Sequence, residues 1–282
     1  MSTGTTAIPQ RVDEPRSVSG EGLIRAIEDF VLQTIAIAGI EARKLRRDPT
    51  EVVTRSVQPI LWLMVFGQVF TRTHAIPTGS LTYLAFMTPG VLAQSVLFTA
   101  IFYGIAVIWE RDLGILHKML VSPAYRGALV LGKAMAAGFR GVAQAVIVYA
   151  AAFLLGVRLR VEFFPIAGVL LAIMLGAAVF STFSLVVACL VKTRERFMGI
   201  GQVLTMPLFF ASNAIYPIEM MPDWLKAVAH VNPLTYLVDI LRALMIEGGR
   251  STFGLALDAG VEAGVLVVLI VIAARLYPTV AT

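Results

Sequence analysis

A chain of 282 residues that is 58% hydrophobic and only 15% charged, with a mean hydropathy of +0.82, carries more apolar side chain than one globular core can hide. A soluble domain is about a quarter charged, so a water-soluble enzyme or binding module is excluded and the class is an all-α integral membrane protein. The net charge of +5 follows the placement of basic residues at membrane borders and does not point to nucleic acid, and a lone cysteine inside an apolar run, Cys189, excludes a disulfide framework or a thiolate metal site.

Residues 1–22 are rich in Ser, Thr, Gly and Pro, carry both charge signs and lack the apolar core of a signal peptide. They read as a disordered cytoplasmic tail. Residues 23–282 read as one transmembrane domain. Within 23–47, Ile24, Ile27, Val31, Ile35 and Ala38 recur at helical spacing, with Arg25, Glu28 and Asp29 elsewhere on the wheel. That pattern predicts an amphipathic helix lying in the cytoplasmic interface. Its cluster Arg43, Lys44, Arg46 and Arg47 would meet anionic membrane lipid at headgroup level, and Asp48-Pro49 would break it before the first span.

A helix needs about 20 apolar residues to cross a bilayer core of roughly 30 Å. Six segments meet or approach that length: Ser56–Phe70, short and extended at both ends, Leu81–Ile108 with a kink at Thr88-Pro89-Gly90, Ala134–Val157, Pro165–Val191, Phe197–Tyr216 and Leu255–Ala274. With the amino terminus inside, 16 Lys and Arg fall on the cytoplasmic side and six on the other. The excess places both termini in the cytoplasm, in a multi-pass protein of the inner or plasma membrane.

Residues 110–133 are a charged island between apolar runs. Thr73 to Trp109 has no Asp, Glu, Lys or Arg, and Ala134 to Val157 has only Arg140. Glu110, Arg111 and Asp112 open the island, and Leu113, Ile115, Leu116, Met119 and Leu120 form an apolar stripe stopped by Ser122-Pro123. A solvated connector does not need that stripe, whereas a small helix with one face against a partner does.

Residues 217–250 lie on the opposite side. Pro222-Asp-Trp-Leu predicts a short helix with Trp224 at the interface, and Asn232-Pro233 is a helix start, an Asn cap followed by Pro at the first helical position. Leu234, Leu237, Val238, Leu241 and Leu244 then form a stripe, with Asp239 and Arg242 spaced for a local pair. These helices either dip into the membrane as a re-entrant hairpin, tolerable only against protein, or form an extracellular cap.

Little in the chain suggests chemistry of its own. Gly127 to Lys133 fits G-x-x-x-x-G-K, but Ala134 stands where a nucleotide loop needs Ser or Thr for magnesium, and a membrane span follows. No cofactor-binding site is expected, so any ATP-driven work falls to a partner. His74, His117 and His230 occupy three loops on two sides and cannot share a metal. No G-x-S-x-G elbow and no intramembrane pair of carboxylates is apparent, so no catalytic residue is expected. Two ionisable residues fall within spans as candidate pathway charges. Arg140, about 10 Å along the helix from Lys133, either snorkels back to the cytoplasmic interface or lines a cavity. Glu262 sits inside Gly260-x-x-x-Gly264, a spacing that marks close helix contacts.

Glu110-Arg-Asp-x-Gly114, followed by Leu120, Ser122-Pro123 and Leu131-Gly-Lys133, resembles the coupling loop of type-2 ABC transporter permeases of the daunorubicin and multidrug-resistance exporter kind. Pro222-x-Trp-Leu, Asn232-Pro-Leu-Thr-Tyr236 and Leu241-Arg242 are similar to the same family, and the resemblance covers residues 24–277. It implies a permease subunit that moves a hydrophobic drug-like or lipid substrate outward. Two cytoplasmic ATPase subunits would hold ATP and Mg, and a second permease copy or a paralogue would complete the path. Glu110, Arg111, Asp112, Gly114, Leu120 and Pro123 would seat on the ATPase together with the interfacial helix. The alternatives are a polysaccharide or glycolipid exporter and, outside the family, a channel or membrane scaffold. A secondary transporter would need internal repeats and coupling carboxylates.

Overall fold

The computed structural model describes residues 50–74, 76–113, 126–191 and 193–276, with single helical positions between Glu28 and Arg47. The chain folds as α1 (Thr50–Leu61), a π-helical segment (Trp62–Gly67), α2 (Gln68–Thr73), α3 (Tyr83–Asp112), α4 (Arg126–Leu154), α5 (Phe163–Leu190) and α6 (Arg194–Phe210). A 3-10 turn (Ile218–Met220), α7 (Asp223–Val231), α8 (Pro233–Met245) and α9 (Leu255–Leu276) complete it. The fold is all-α as expected, and among the described residues outside the helices a single bridge pairs Leu159 with Ile246. Below, the end of the bundle that carries residues 113 and 126 is called proximal and the opposite end distal.

Among the described residues, five helices are long and apolar enough to cross a membrane: Val52–Thr73, Tyr83–Phe102, Ala134–Leu154, Phe163–Leu190 and Leu255–Leu276. They coincide with five of the six expected segments, the first extended at both ends. The expected segment Phe197–Tyr216 has different bounds in the structure, Arg194–Phe210. α6 has 17 residues, about 26 Å of helix, and stops at Phe210. The carbonyls that would carry it further are taken by side chains of the α8 region: Asn232 Nδ2 donates to Ala211 O at 3.2 Å and Arg242 Nη2 to Asn213 O at 2.6 Å.

The centre of the bundle is α3 and α5. From Tyr83 to Phe102, α3 is buried apart from the partly exposed Phe98 and Phe102, enclosed by α4, α5, α6 and α8. Pro89 lies inside α3, and the helix continues through it. Small residues let the helices approach, as expected where lipid supplies no hydrophobic drive. A Cβ on Gly90 would overlap the Ala214 backbone, and one on Gly141 would press on Ile173. Apolar side chains that face outward, among them Phe153, Leu154, Phe163 and Phe164, are 71–84% exposed within the chain, a surface that suits acyl chains and not water.

The placement of α8 decides between the two arrangements left open for residues 217–250. Gly168 faces Leu244 and Gly176 faces Leu237, so α8 runs antiparallel to α5. Gly176 lies 13 residues past Phe163, the distal start of α5, about 20 Å along its axis. The Asn232-Pro233 corner therefore turns back near the middle of the bundle, the re-entrant arrangement. Its cost is met by protein: Leu234, Thr235, Leu237, Val238 and Leu241 are all fully buried.

Candidate functional site

At the proximal end, Glu110, Arg111 and Asp112 form the last turn of α3. A small amphipathic helix stopped by Ser122-Pro123 was expected in this island. The charged island starts as a direct extension of the span, and residues 114–125, where the rest of that helix was expected, lie outside the described residues. Arg194, at the start of α6, lies over the Trp109 ring at 3.7 Å from its centroid. Ile108, Ala188, Val191 and Phe197 close an apolar cluster beside it. The end of α3 is thereby yoked to the end of α5 and the start of α6. Gly114, Leu120 and Pro123 lie outside the described residues, as do Lys44 and Arg46, while Arg43 and Arg47 are exposed helical positions. Gly127 to Lys133 are helical, the first turns of α4, so their amides from residue 130 onward belong to the helix ladder and cannot cradle a phosphate.

At the distal end the helices converge on a charged network whose hub is Asp239, fully buried on α8. Its carboxylate accepts from Asn213 Nδ2 (3.0 Å), Arg242 Nη1 (3.4 Å), Thr252 Oγ1 (3.1 Å) and Ser251 Oγ (3.4 Å), and from the backbone N–H groups of Thr252 and Phe253. Arg242 is also stacked 4.0 Å above the Phe86 ring of α3. The pair expected to be local on α8 is therefore the clasp that joins α8 to α3, to the loop after α6 and to the loop before α9. Its side chains are 0% and 6% exposed, and an ion pair at that burial is expensive to break. Asn232 caps α8 as expected, accepting from Leu234 N at 3.0 Å, and also donates to Leu208 O at 2.6 Å. Tyr236 donates to His230 O at 2.6 Å, and Trp224 on α7 is exposed.

Two expectations for α9 change. No intramembrane pair of carboxylates was anticipated, yet Asp258 and Glu262 lie one turn apart on α9 and are both fully buried. Their (i, i+4) spacing was the available signal, hidden because Asp258 falls at the edge of a strongly apolar run. Ser251 Oγ donates to Asp258 Oδ2 at 2.7 Å and thereby links it to Asp239. Within the chain the small-residue spacing around Glu262 makes no close contact among the described residues: a Cβ on Gly260 or Gly264 would meet nothing within 4 Å. With the carboxylates turned inward, residues two positions away on a 3.6-residue helix must face out.

Arg140 is half-buried on α4, and its Nη1 reaches back one turn to Ala136 O at 3.4 Å. It points toward the proximal end, the direction a snorkelling side chain takes. A polar cleft of about 250 Å³ opens between α1, α3 and α4, lined by Thr54, Gln58, Gln94, Ser95 and Gln144, with Arg140 outside its lining. A larger distal cleft of about 750 Å³ sits over the charged network, lined by Arg160, Asn213, Glu219, Arg242 and Arg250.

Apolar helices facing outward around inward-turned charges define a multi-pass membrane protein. The chain belongs to the ABC-2 type transporter family, whose pattern residues 32–246 match, and is a transport subunit of the permease kind. It is 29% identical over 209 residues to the putative transport permease ycf38 of Cyanophora paradoxa, covering 71% of this chain and 70% of that one. It is 25% identical over 229 residues to the daunorubicin resistance ABC transporter permease protein DrrB1 of Streptomyces coeruleorubidus, covering 81% and 80%. A third relative is the probable multidrug ABC transporter permease YbhR of Escherichia coli K12, 28% identical over 174 residues, covering 60% and 45%.

Proposed function

We propose that this chain is the permease of an ATP-driven exporter that moves a hydrophobic drug-like or lipid substrate outward across the cytoplasmic membrane. Two copies of a cytoplasmic ATPase supply ATP and Mg, and a second permease copy or a paralogue completes the path. Both termini then lie in the cytoplasm, the proximal end faces the ATPase and the distal end faces out. Residues 1–22 form a tail, 23–47 an interfacial helix, 110–133 the coupling loop and 217–250 the outer segment. The observation that carries this reading is the charged turn Glu110–Asp112 at the end of a buried central helix, within a chain of the ABC-2 type transporter family.

The geometry offers a route for force. α3 meets Arg194 through Trp109 near its proximal end and Arg242 through Phe86 near its distal end. Twenty-three residues separate the two rings, about 35 Å of continuous helix. A push on Glu110–Asp112 acts on a rigid rod whose far end touches the clasp of the re-entrant helix. Drug relatives and an outward-facing aliphatic surface support a hydrophobic cargo.

The test is a complex reconstituted with its ATPase and carrying Glu110→Ala plus Arg111→Ala. Substrate-stimulated ATP hydrolysis should be lost while basal hydrolysis persists. Stimulation at the unmodified level would overturn the coupling role.

A further inference from the structure

Polar side chains at hydrocarbon depth ordinarily bond one another, because lipid offers nothing in place of water. Gln94 departs from that rule. It lies near the middle of the span Tyr83–Phe102 and is 3% exposed, yet its amide makes no hydrogen bond among the described residues. A primary amide stranded at such burial is costly unless something else completes it.

Gln94 borders the cleft of about 250 Å³ between α1, α3 and α4, far more room than one water needs. The buried Thr99 hydroxyl borders it too, and likewise makes no hydrogen bond among the described residues. Gln144, also buried, meets Ser56 Oγ at 3.0 Å through one end of its amide. The other end has no bond among the described residues. From α1, Thr54 and Gln58 complete the polar lining.

The chemistry of the lining selects its occupant. Amides and hydroxyls both donate and accept, so they complement hydroxyl groups, which do the same, better than a lone ion. No carboxylate lines the cleft, and its one charged residue, Arg55, lies near the proximal start of the span Val52–Thr73. Charged side chains at that level meet the polar lipid headgroups. From Phe102 to Gln94 the cleft follows α3 inward for eight residues, about 12 Å. The stacked rings of Phe98 and Phe102, with centroids 6.2 Å apart, supply an apolar wall for the carbon face of such a group.

We propose that this cleft binds the hydroxyl-bearing headgroup of a phospholipid from the leaflet at the proximal end, a polyol joined through phosphate. The phosphate lies at the Arg55 end, and the hydroxyls reach Gln94, Thr99 and Gln144. One chain supplies all the lining, so the site is complete without a second copy. The inference needs neither the ATPase nor a direction of transport, and its failure leaves the coupling role of Glu110–Asp112 standing.

The test uses the full chain in phosphatidylcholine nanodiscs doped equally with phosphatidylglycerol and phosphatidylethanol. Both added lipids are anionic, and only phosphatidylglycerol carries headgroup hydroxyls. Native mass spectrometry of the released protein should find phosphatidylglycerol retained severalfold over phosphatidylethanol. Gln94→Leu should bring the two to parity. Thr99→Val keeps the shape of its side chain, should lower the preference as well, and serves if Gln94→Leu does not fold. In phosphatidylcholine alone, Gln94→Leu should unfold no earlier than the unmodified chain, since it removes a group that has no partner there. Equal retention of the two anionic lipids would mean that charge alone selects. A preference unchanged in both variants would put the bound lipid elsewhere, and no retained lipid would leave the cleft to water. Each of these outcomes overturns the proposal.

Discussion

Asp239 and Arg242 show how far a residue pair can differ from its sequence appearance. Three positions apart on an amphipathic stripe, they look like a solvent-facing pair that stabilises by a few tenths of a kcal/mol. Buried, they clasp three other segments, and removing one partner strands the other. Asp239→Ala should therefore cost about 3–5 kcal/mol, read as a lowered thermal unfolding midpoint of the detergent-solubilised chain. The double variant with Arg242→Ala should cost less than the two single losses added, because the second truncation removes the stranded charge. Glycines make a second residue-scale contrast. Gly90→Ala forces a methyl into the Ala214 backbone, which cannot move aside as a side-chain tip can, and should cost about 1–3 kcal/mol. Gly264→Ala meets open space and should be neutral or stabilising by up to about 1 kcal/mol. A destabilising Gly264→Ala would mean that this face is already covered by another chain.

Among the elements, the long spans were legible because lipid leaves the chain little choice: a backbone in hydrocarbon must be helical and its side chains apolar. α8 was legible only in part. Asn232-Pro233 marked its start, but an apolar stripe at helical spacing reads the same for a cap on the surface as for a helix sunk in the bundle. What distinguishes them is partner geometry, the glycines Gly168 and Gly176 on α5 that admit Leu244 and Leu237, and no local pattern encodes that. α6 was overextended for a related reason. Residues 211–216 are apolar enough to continue it, and only the distant Asn232 and Arg242 side chains take the carbonyls that would have done so. Asn232→Ala removes the α8 cap and leaves the Leu208 and Ala211 carbonyls without that donor. A lost cap alone costs about 1 kcal/mol, and a buried group stranded by a lost partner adds about 1–3 kcal/mol. Faster hydrogen exchange over α7 and α8, with α4 and α5 unchanged, is the expected signature.

For the whole molecule, the functional class was written in the charged island and the outer motifs, and the family match over residues 32–246 agrees with it. The acids of α9 escaped because hydropathy averages them away: two carboxylates in a helix of 22 residues barely lower its apolar mean. The yoke at Trp109 bears on the whole assembly. Arg194→Ala should reduce substrate-stimulated ATP hydrolysis of the reconstituted complex without abolishing ATPase binding, since it slackens α3 against α6 and leaves Glu110–Asp112 in place. Stimulation at the unmodified level would show that α3 transmits alone. The π-helical stretch Trp62–Gly67 has a consequence on the same scale. It stores one surplus residue in the first span, and a surplus can be passed along a helix from turn to turn. Each step rotates the segment it crosses by about 100°, carrying the stacked rings of Trp62, Phe66 and Phe70 with it. Such a step would re-phase the face the span shows to lipid without breaking its backbone ladder. Deleting Val65 would erase the surplus and fix that phase, and cysteine crosslinking along residues 50–61 would report the new face.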